Sequence, residues 1–298
     1  MNRHRLLEYS RTMLKDRPST GTCEERTGTI VILVLALVAL AALALITGAA
    51  SAPAKVVLPP AHARFDYQLG GAYPLPAGVT VVSRDRTAKP AIGAYTFCYI
   101  NAFQTQSGEV AWWRRQNPDL LLQRNGKDVG DPNWPGEILL DTSTAAKRAR
   151  LARIEGAWIA GCAKAGFQAV EPDNLDSNTR SKGQLTQAMN VAFARQLVVV
   201  AHQAGLAIAQ KNSSELAPIG HSKIGFDFAV AEECAVYHEC GAYTRAYGAE
   251  VFEIEYPDNG GLANFERACR EHGSRNPIVY RDRNLVPKGS PGYRYRAC

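Results

Sequence analysis

The chain has little of what binds transition metals: its six histidines are scattered and no Cys-x-x-Cys pair occurs, so neither a zinc site nor any other metal site is called for. Long runs of lysine or arginine are missing too. With 34 basic against 28 acidic residues the net charge is only +6, which gives no electrostatic footprint for nucleic acid. After the N-terminal region there is no repeat and no low-complexity tract. What is present, 46% hydrophobic and 21% charged residues, is the composition of an ordinary globular protein with enough apolar material for one core.

The N-terminus carries the strongest topological signal. Residues 29–50, TIVILVLALVALAALALITGAA, hold no charge, and about twenty such residues suffice to cross a bilayer as a helix. Six basic residues precede them (Arg3, Arg5, Arg11, Lys15, Arg17, Arg26) against four acidic ones. That bias favours an inside N-terminus and an exported remainder. The run is longer than a signal-peptide core, which favours an uncleaved anchor. The stretch GAASAPA (48–54) resembles a cleavage region, with Pro53 awkward in it. The expected layout is a cytoplasmic segment 1–28, an anchor or signal helix 29–50, an Ala/Pro-rich linker 51–62 and a folded domain 63–298. The expected location is the extracellular face of the plasma membrane, single-pass, or the medium. A membrane contact through the N-terminal helix is expected in the first case.

Of seven cysteines, Cys23 precedes the apolar run and six follow it. An even number in an oxidising compartment points to disulfides. Cys234 and Cys240 are close in sequence, Cys269–Cys298 pins the C-terminal tail, and Cys98–Cys162 is left by subtraction.

Beyond residue 62, short apolar runs alternate with longer helical patterns. Strands are expected at 65–69, 79–83, 94–100, 167–171, 206–211, 226–232, 250–255 and 277–281. Helices are expected at 144–164, with Thr142 or Ser143 as N-cap, and at 184–204, 236–247 and 262–272. Eight strands with intervening helices predict an α/β fold of the (β/α)8 TIM-barrel type, with a doubly wound sheet as the alternative. Residues 101–140 are too long for one loop and read as an insertion at the barrel mouth.

Catalytic groups of such barrels lie at the C-terminal strand ends. Here those ends carry Glu171, Asp173, Asn174 and Asp176, then Lys211 and Asn212, then Glu232 and Glu233, then Glu253, Glu255 and Tyr256, and lastly Arg281 and Asp282. Two facing carboxylates, Asp173 and Glu232, are what glycoside hydrolysis needs: one protonates the leaving oxygen, the other attacks or activates water. Tyr67, Tyr95, Tyr99, Trp112, Trp113, Trp134 and Tyr256 offer flat apolar faces to sugar rings. Asp-Asn after Pro172 also fits a plain turn, and oxygens around Asp173, Asp176 and Asn178 miss the calcium-loop spacing. A non-catalytic carbohydrate-binding barrel of the cell envelope is the alternative reading; it needs only aromatics and one anchor, not two carboxylates.

The blocks FDYQLGG (65–71), CYINAF (98–103), WPGEILLD (134–141), GFQAVEPDNLD (166–176), AHQAGLAIAQKN (201–212), FDFAVAEEC (226–234), HEC (238–240) and EIEY (253–256) resemble the endo-α-1,4-polygalactosaminidases, glycoside hydrolase family 114. The resemblance implies a TIM barrel that cleaves α-1,4-linked galactosamine-containing polymers without a cofactor. It implies Asp173 and Glu232 as the catalytic carboxylates, and Tyr67, Lys211, Asn212, Glu255 and Tyr256 as residues lining the sugar site. Tyr99, Glu171, Asn174, Asp176 and Glu233 are further substrate-binding candidates. Two departures stand out. The family's small, Gly-containing turn after the third strand is here Asn101-Ala102-Phe103, and its Gln after the sixth-strand Glu is here Glu233. The partner expected is a cationic aminosugar polymer, drawn by a locally acidic mouth that also raises the pKa of one carboxylate.

Overall fold

The computed structural model describes residues 55–298. The segments read as cytoplasmic (1–28) and as anchor or signal (29–50) lie outside the described residues, among which no helix is long and apolar enough to cross a membrane. Eight parallel strands follow in chain order: β1 Arg64–Gln68, β2 Val79–Asp85, β3 Tyr95–Asn101, β4 Ala169–Asp173, β5 Ala207–Lys211, β6 Phe228–Glu232, β7 Val251–Glu255 and β8 Ile278–Arg281. Each is hydrogen-bonded to its successor, and an antiparallel β9, Tyr295–Ala297, pairs with β8 to complete a nine-stranded sheet. Outside it lie α1 Val110–Gln116, α2 Ala145–Ala165, α3 Gln187–Gln203, α4 Cys240–Tyr247 and α5 Gly261–His272.

The sheet is barrel-like and nearly closed. In the described residues no backbone ladder joins β8 to β1, because β9 occupies the free edge of β8. Side chains span the seam instead. Arg281 of β8 donates to Asp66 Oδ1 at 2.9 Å and to the Tyr67 carbonyl, with both charged residues fully buried. Tyr295 of β9 donates to the Phe65 carbonyl at 3.3 Å. The disulfide Cys269–Cys298 ties the end of β9 to α5, and Cys98–Cys162 ties β3 to α2. A third bond closes Cys234–Cys240 just after β6. Each removes conformational freedom from the unfolded chain.

Strand residues alternate between the interior and the helical layer. Phe65, Phe97, Phe228 and Phe252 meet inside with ring centroids between 4.7 and 5.9 Å apart, forming an apolar floor with Val81, Ala169 and Ala207. Two residues further along β1 to β4 the same parity brings Tyr67, Ser83, Tyr99 and Glu171 inward. The odd-even count then fixes Lys211, Glu232 and Tyr256 as interior too. Cys98, Ile100, Val170, Ile208 and Ala231 face outward and pack under α2 to α4.

α2 begins one residue later than the sequence pattern indicated. Thr144, not Thr142 or Ser143, accepts the Lys147 amide at 3.2 Å, and Gly166 ends the helix at φ 98°, a conformation glycine adopts without a Cβ clash. The 101–140 insertion builds a small core of its own from Leu122, Val129 and Leu139, with Leu185. Trp113 is fully buried there, and the Trp112–Trp113 pair packs on Trp158 of α2. Trp113 is therefore closed to sugar, whereas Trp112 stays 38% exposed. Tyr95, at the start of β3, donates to the carbonyls of Val57 and Gln168, so it lies at the floor end. There residues 55–59, expected as linker, rest on the barrel with Pro59 buried.

Glu253 and Glu255 have outward parity and are fully buried against the helices. Burial pushes each carboxyl up to about 7, offset for Glu253 by a hydrogen bond from Asn276 and for Glu255 by the Ala235 amide. Both therefore bind protons more tightly folded than unfolded. Stability is fully present below the ordinary carboxylate range and is lost as pH rises through about 7. Melting temperature should fall between about pH 5 and pH 7, and Glu253→Gln should flatten that fall. A melting temperature that rises over this window would contradict the assignment.

Candidate active site

The C-terminal ends of β4, β5 and β6 converge on one cation. Lys211 Nζ, on a side chain only 1% exposed, lies 3.1 Å from Asp173 Oδ1, 3.1 Å from Glu232 Oε2 and 3.3 Å from Glu171 Oε1. It also donates to Tyr67 Oη at 3.0 Å and sits 5.6 Å from the ring centres of both Tyr67 and Tyr99. A buried ammonium is tolerated only with compensating charge. The three carboxylates supply it and hold Lys211 well above its ordinary pKa against the opposing effect of burial.

Exposure divides the three acids. Glu171 is sealed at 0%, whereas Asp173 and Glu232 keep 17% and 24% of their side chains exposed. Glu171, expected as a substrate contact, instead lies beneath the mouth. It accepts hydrogen bonds from Tyr67 Oη at 2.6 Å and Ser83 Oγ at 2.5 Å. Burial raises its pKa to about 6, opposed by the Lys211 charge and these two donors. Ser83 escaped the sequence reading; its inward parity two residues after Val81 was the only signal.

The accessible pair is held from several sides. Asp173 accepts from Tyr99 Oη at 2.7 Å and from the Asn174 amide at 2.8 Å. Glu232 accepts from Tyr256 Oη and from Asn212 Nδ2 at 3.1 Å, while its own amide donates to Asn212 Oδ1 at 2.8 Å. Burial pushes Glu232 up, but Lys211 and these donors outweigh it and leave the carboxyl below its ordinary range. The expectation that neighbouring acids raise an accessible carboxylate fails for Glu232: the raised one is sealed Glu171. Glu233, expected to perturb Glu232, pairs with Arg283. That guanidinium also binds Asp258 and stacks 4.0 Å from the Tyr256 ring centre.

Each of these strands ends on a left-handed residue. Asn174, Asn212, Ser213 and Glu233 have φ of 65°, 50°, 60° and 58°, at a cost of order 1 kcal/mol for each such position. The kink turns the chain away as soon as Asp173, Lys211 and Glu232 have pointed inward. Asn174 Nδ2 donates to Asn101 Oδ1 at 2.8 Å, and Asp176 pairs with Arg180 at 2.8 Å. Asn174 and Asp176 thus brace the mouth. Glu255 is not in it: adjacent to inward Tyr256, it faces out and accepts from the Ala235 amide and Asn264 Nδ2. A cavity of about 540 Å³ lined by Pro90, Ile92, Tyr95 and Gln168 lies at the floor end, far from this chemistry.

An α/β barrel-like sheet holds two partly exposed carboxylates around a buried lysine, and the model of glycoside-hydrolase family GH114 matches residues 46–298. The protein is a glycoside hydrolase. Within that class, the chain belongs to family GH114. Among solved structures it is similar to Aspergillus fumigatus Ega3 in complex with galactosamine, with TM-score 0.63, 22% identity, and coverage of 82% of this chain and 98% of that one. The glycoside hydrolase domain of PelA from Pseudomonas aeruginosa is similar in two structures, a variant at TM-score 0.54 and 18% identity and a second at 0.52 and 16%, each covering 78% of this chain and 98% of the other. At these identities the likeness speaks for the fold. No curated protein matches the sequence.

Lys211→Met keeps the aliphatic stem and removes the charge that draws Glu232 down. The acidic limb of kcat/KM should move to higher pH and activity should fall at least about tenfold, read as a pH–rate profile on folded protein. An unchanged limb would show that Lys211 does not set the ionisation of Glu232.

Proposed function

We propose that this protein hydrolyses α-1,4-linked galactosamine-containing polysaccharide outside the cytoplasm, using Asp173 and Glu232 as its two working carboxylates. The observation that carries the reading is their convergence, from β4 and β6, on the single ammonium of Lys211, each with part of its side chain open to solvent. One carboxyl gives a proton to the leaving oxygen; the other meets the anomeric carbon or the water that attacks it. Ega3, whose complex holds galactosamine, supplies the substrate class by similarity. Three disulfides support export.

We read the pair as a retaining one, a reading that its spacing accommodates. Asp173 Oδ1 and Glu232 Oε2 each lie 3.1 Å from Lys211 Nζ and cannot be further apart than twice that distance. Inverting pairs stand roughly 6.5–9.5 Å apart and retaining pairs roughly 5–5.5 Å. The mouth is also acidic: Lys211 faces three carboxylates, Arg180 faces Asp131 and Asp176, and Arg283 faces Glu233 and Asp258. Such a field concentrates a cationic polymer although the whole chain is basic.

Partly deacetylated α-1,4-galactosamine polymer should be cleaved by the oxidised protein, and Asp173→Asn and Glu232→Gln should each stay folded and lose roughly a hundredfold or more. The first-formed reducing ends, followed by NMR, should carry the α configuration. Binding without cleavage by wild type would point instead to a carbohydrate-binding barrel, and β products would show inversion.

A further inference from the structure

Most carboxylates at the mouth already have a cation. Glu171, Asp173 and Glu232 share Lys211, Asp131 and Asp176 share Arg180, and Glu233 and Asp258 share Arg283. Asp85, at the end of β2, has no cation, but its two oxygens accept from Thr87 and from Gln106 Nε2 at 2.7 Å; Glu137, in the insertion after β3, differs in keeping one oxygen open. Among the described residues it makes no ion pair. Its Oε2 accepts from two neutral amides, Asn101 Nδ2 at 2.8 Å and Gln104 Nε2 at 2.6 Å. Its Oε1 accepts nothing within the described residues, yet is not one of the buried atoms left without a partner. One oxygen is thus clamped while the other remains open.

The clamp fixes Glu137 relative to the reacting groups. Asn101 ends β3 directly opposite Asp173 in the β3–β4 register. The same side chain that donates to Glu137 through Nδ2 accepts from Asn174 Nδ2 through Oδ1 at 2.8 Å, and Asn174 follows Asp173 in the chain. One asparagine therefore couples the insertion to the strand end that carries Asp173. Burial, followed by the fields of Asp173 and Asp131, raises the Glu137 carboxyl despite its two amide donors. A cation bound at the open oxygen would relieve that strain.

We infer that Glu137, oriented by Asn101 and Gln104, is the specificity-determining residue that receives the free 2-ammonium group of a deacetylated sugar next to Asp173. This deepens the substrate reading above and rests on it. An ammonium offers charge-assisted donors to a carboxylate that no protein cation has neutralised. An N-acetyl group is neutral and offers no such charge. Discrimination between the two is therefore sharpened by this residue beyond the diffuse acidity of the mouth, because the seven other carboxylates named above each contact one of three protein cations, while both oxygens of Asp85 already accept from Thr87 and Gln106.

The test compares wild type with Glu137→Gln, which keeps an oxygen for the two amide donors, on α-1,4-linked oligomers of equal length, either fully deacetylated or fully N-acetylated. Calorimetric binding of free galactosamine and of N-acetylgalactosamine is measured beside it. The expected result is a loss of about ten- to a hundredfold in kcat/KM on the deacetylated oligomer, carried by KM, with a change of less than about threefold on the acetylated one and selective loss of galactosamine binding. Asn101→Ala should reproduce the same pattern more weakly. Equal losses on both oligomers, or galactosamine binding unchanged in Glu137→Gln, would overturn the assignment. If wild type cuts neither oligomer but galactosamine binding still depends on Glu137, the polymer reading fails while the ammonium site stands.

Discussion

A single buried ammonium organises this protein. Lys211 sits at 1% exposure where three strand ends meet, and each neighbouring carboxylate is placed by its need for that charge. Removing an ion from water costs several kcal/mol, so a lysine there is stable only if acids approach closely enough to compensate. Acids so crowded would repel one another without it. Site and support are therefore one structure: Glu171 seals the lysine from below, while Asp173 and Glu232 meet it from the solvent side. The sealed acid holds the charge in place and the exposed pair is left to meet substrate.

That arrangement needs a floor and a way to end strands. The phenylalanine layer fills the lower barrel and keeps water from the lysine. The left-handed residues after β4, β5 and β6 end each strand within one residue of its functional side chain. Strain of this kind persists only where surrounding bonds over-determine it. Here those bonds are visible: Asn174 to Asn101, Asn212 to Glu232 in both directions, and Glu233 to Arg283. The same links make the insertion after β3 part of the mouth, through Asn101 and Glu137.

The seam shows how a barrel-like sheet closes without a complete ladder. β9 takes the edge that β1 would otherwise occupy, and a fully buried Arg281–Asp66 pair carries the contact across. Cys269–Cys298 then holds β9 by its end. Closure at this point combines that ion pair, the hydrogen bonds of Arg281 and Tyr295 to the β1 backbone, and one covalent tie.

Strand positions and the residues at their ends were legible from the alternation of apolar runs, because burial in a parallel sheet demands a continuous hydrophobic stretch. The even cysteine count and their positions led to the three pairings the structure contains. Parity was also in the sequence, and reading it strictly would have separated Glu255 from Tyr256, since neighbours in a strand face opposite sides. What the sequence could not determine was which acids touch solvent and which cation each one meets. Glu171 and Asp173 have the same parity and both carry a carboxylate, and their height above the floor seals one and opens the other. Trp113 and Tyr95 looked like sugar platforms by residue type, yet burial against α2 removed the first and a place at the barrel floor the second. Glu137 stood within a loop with no periodic pattern, and its link to Asp173 exists only because the β3–β4 register sets Asn101 beside it. Local pattern specified the strands; long-range packing decided the charges, because pairing depends on distances between segments far apart in the chain.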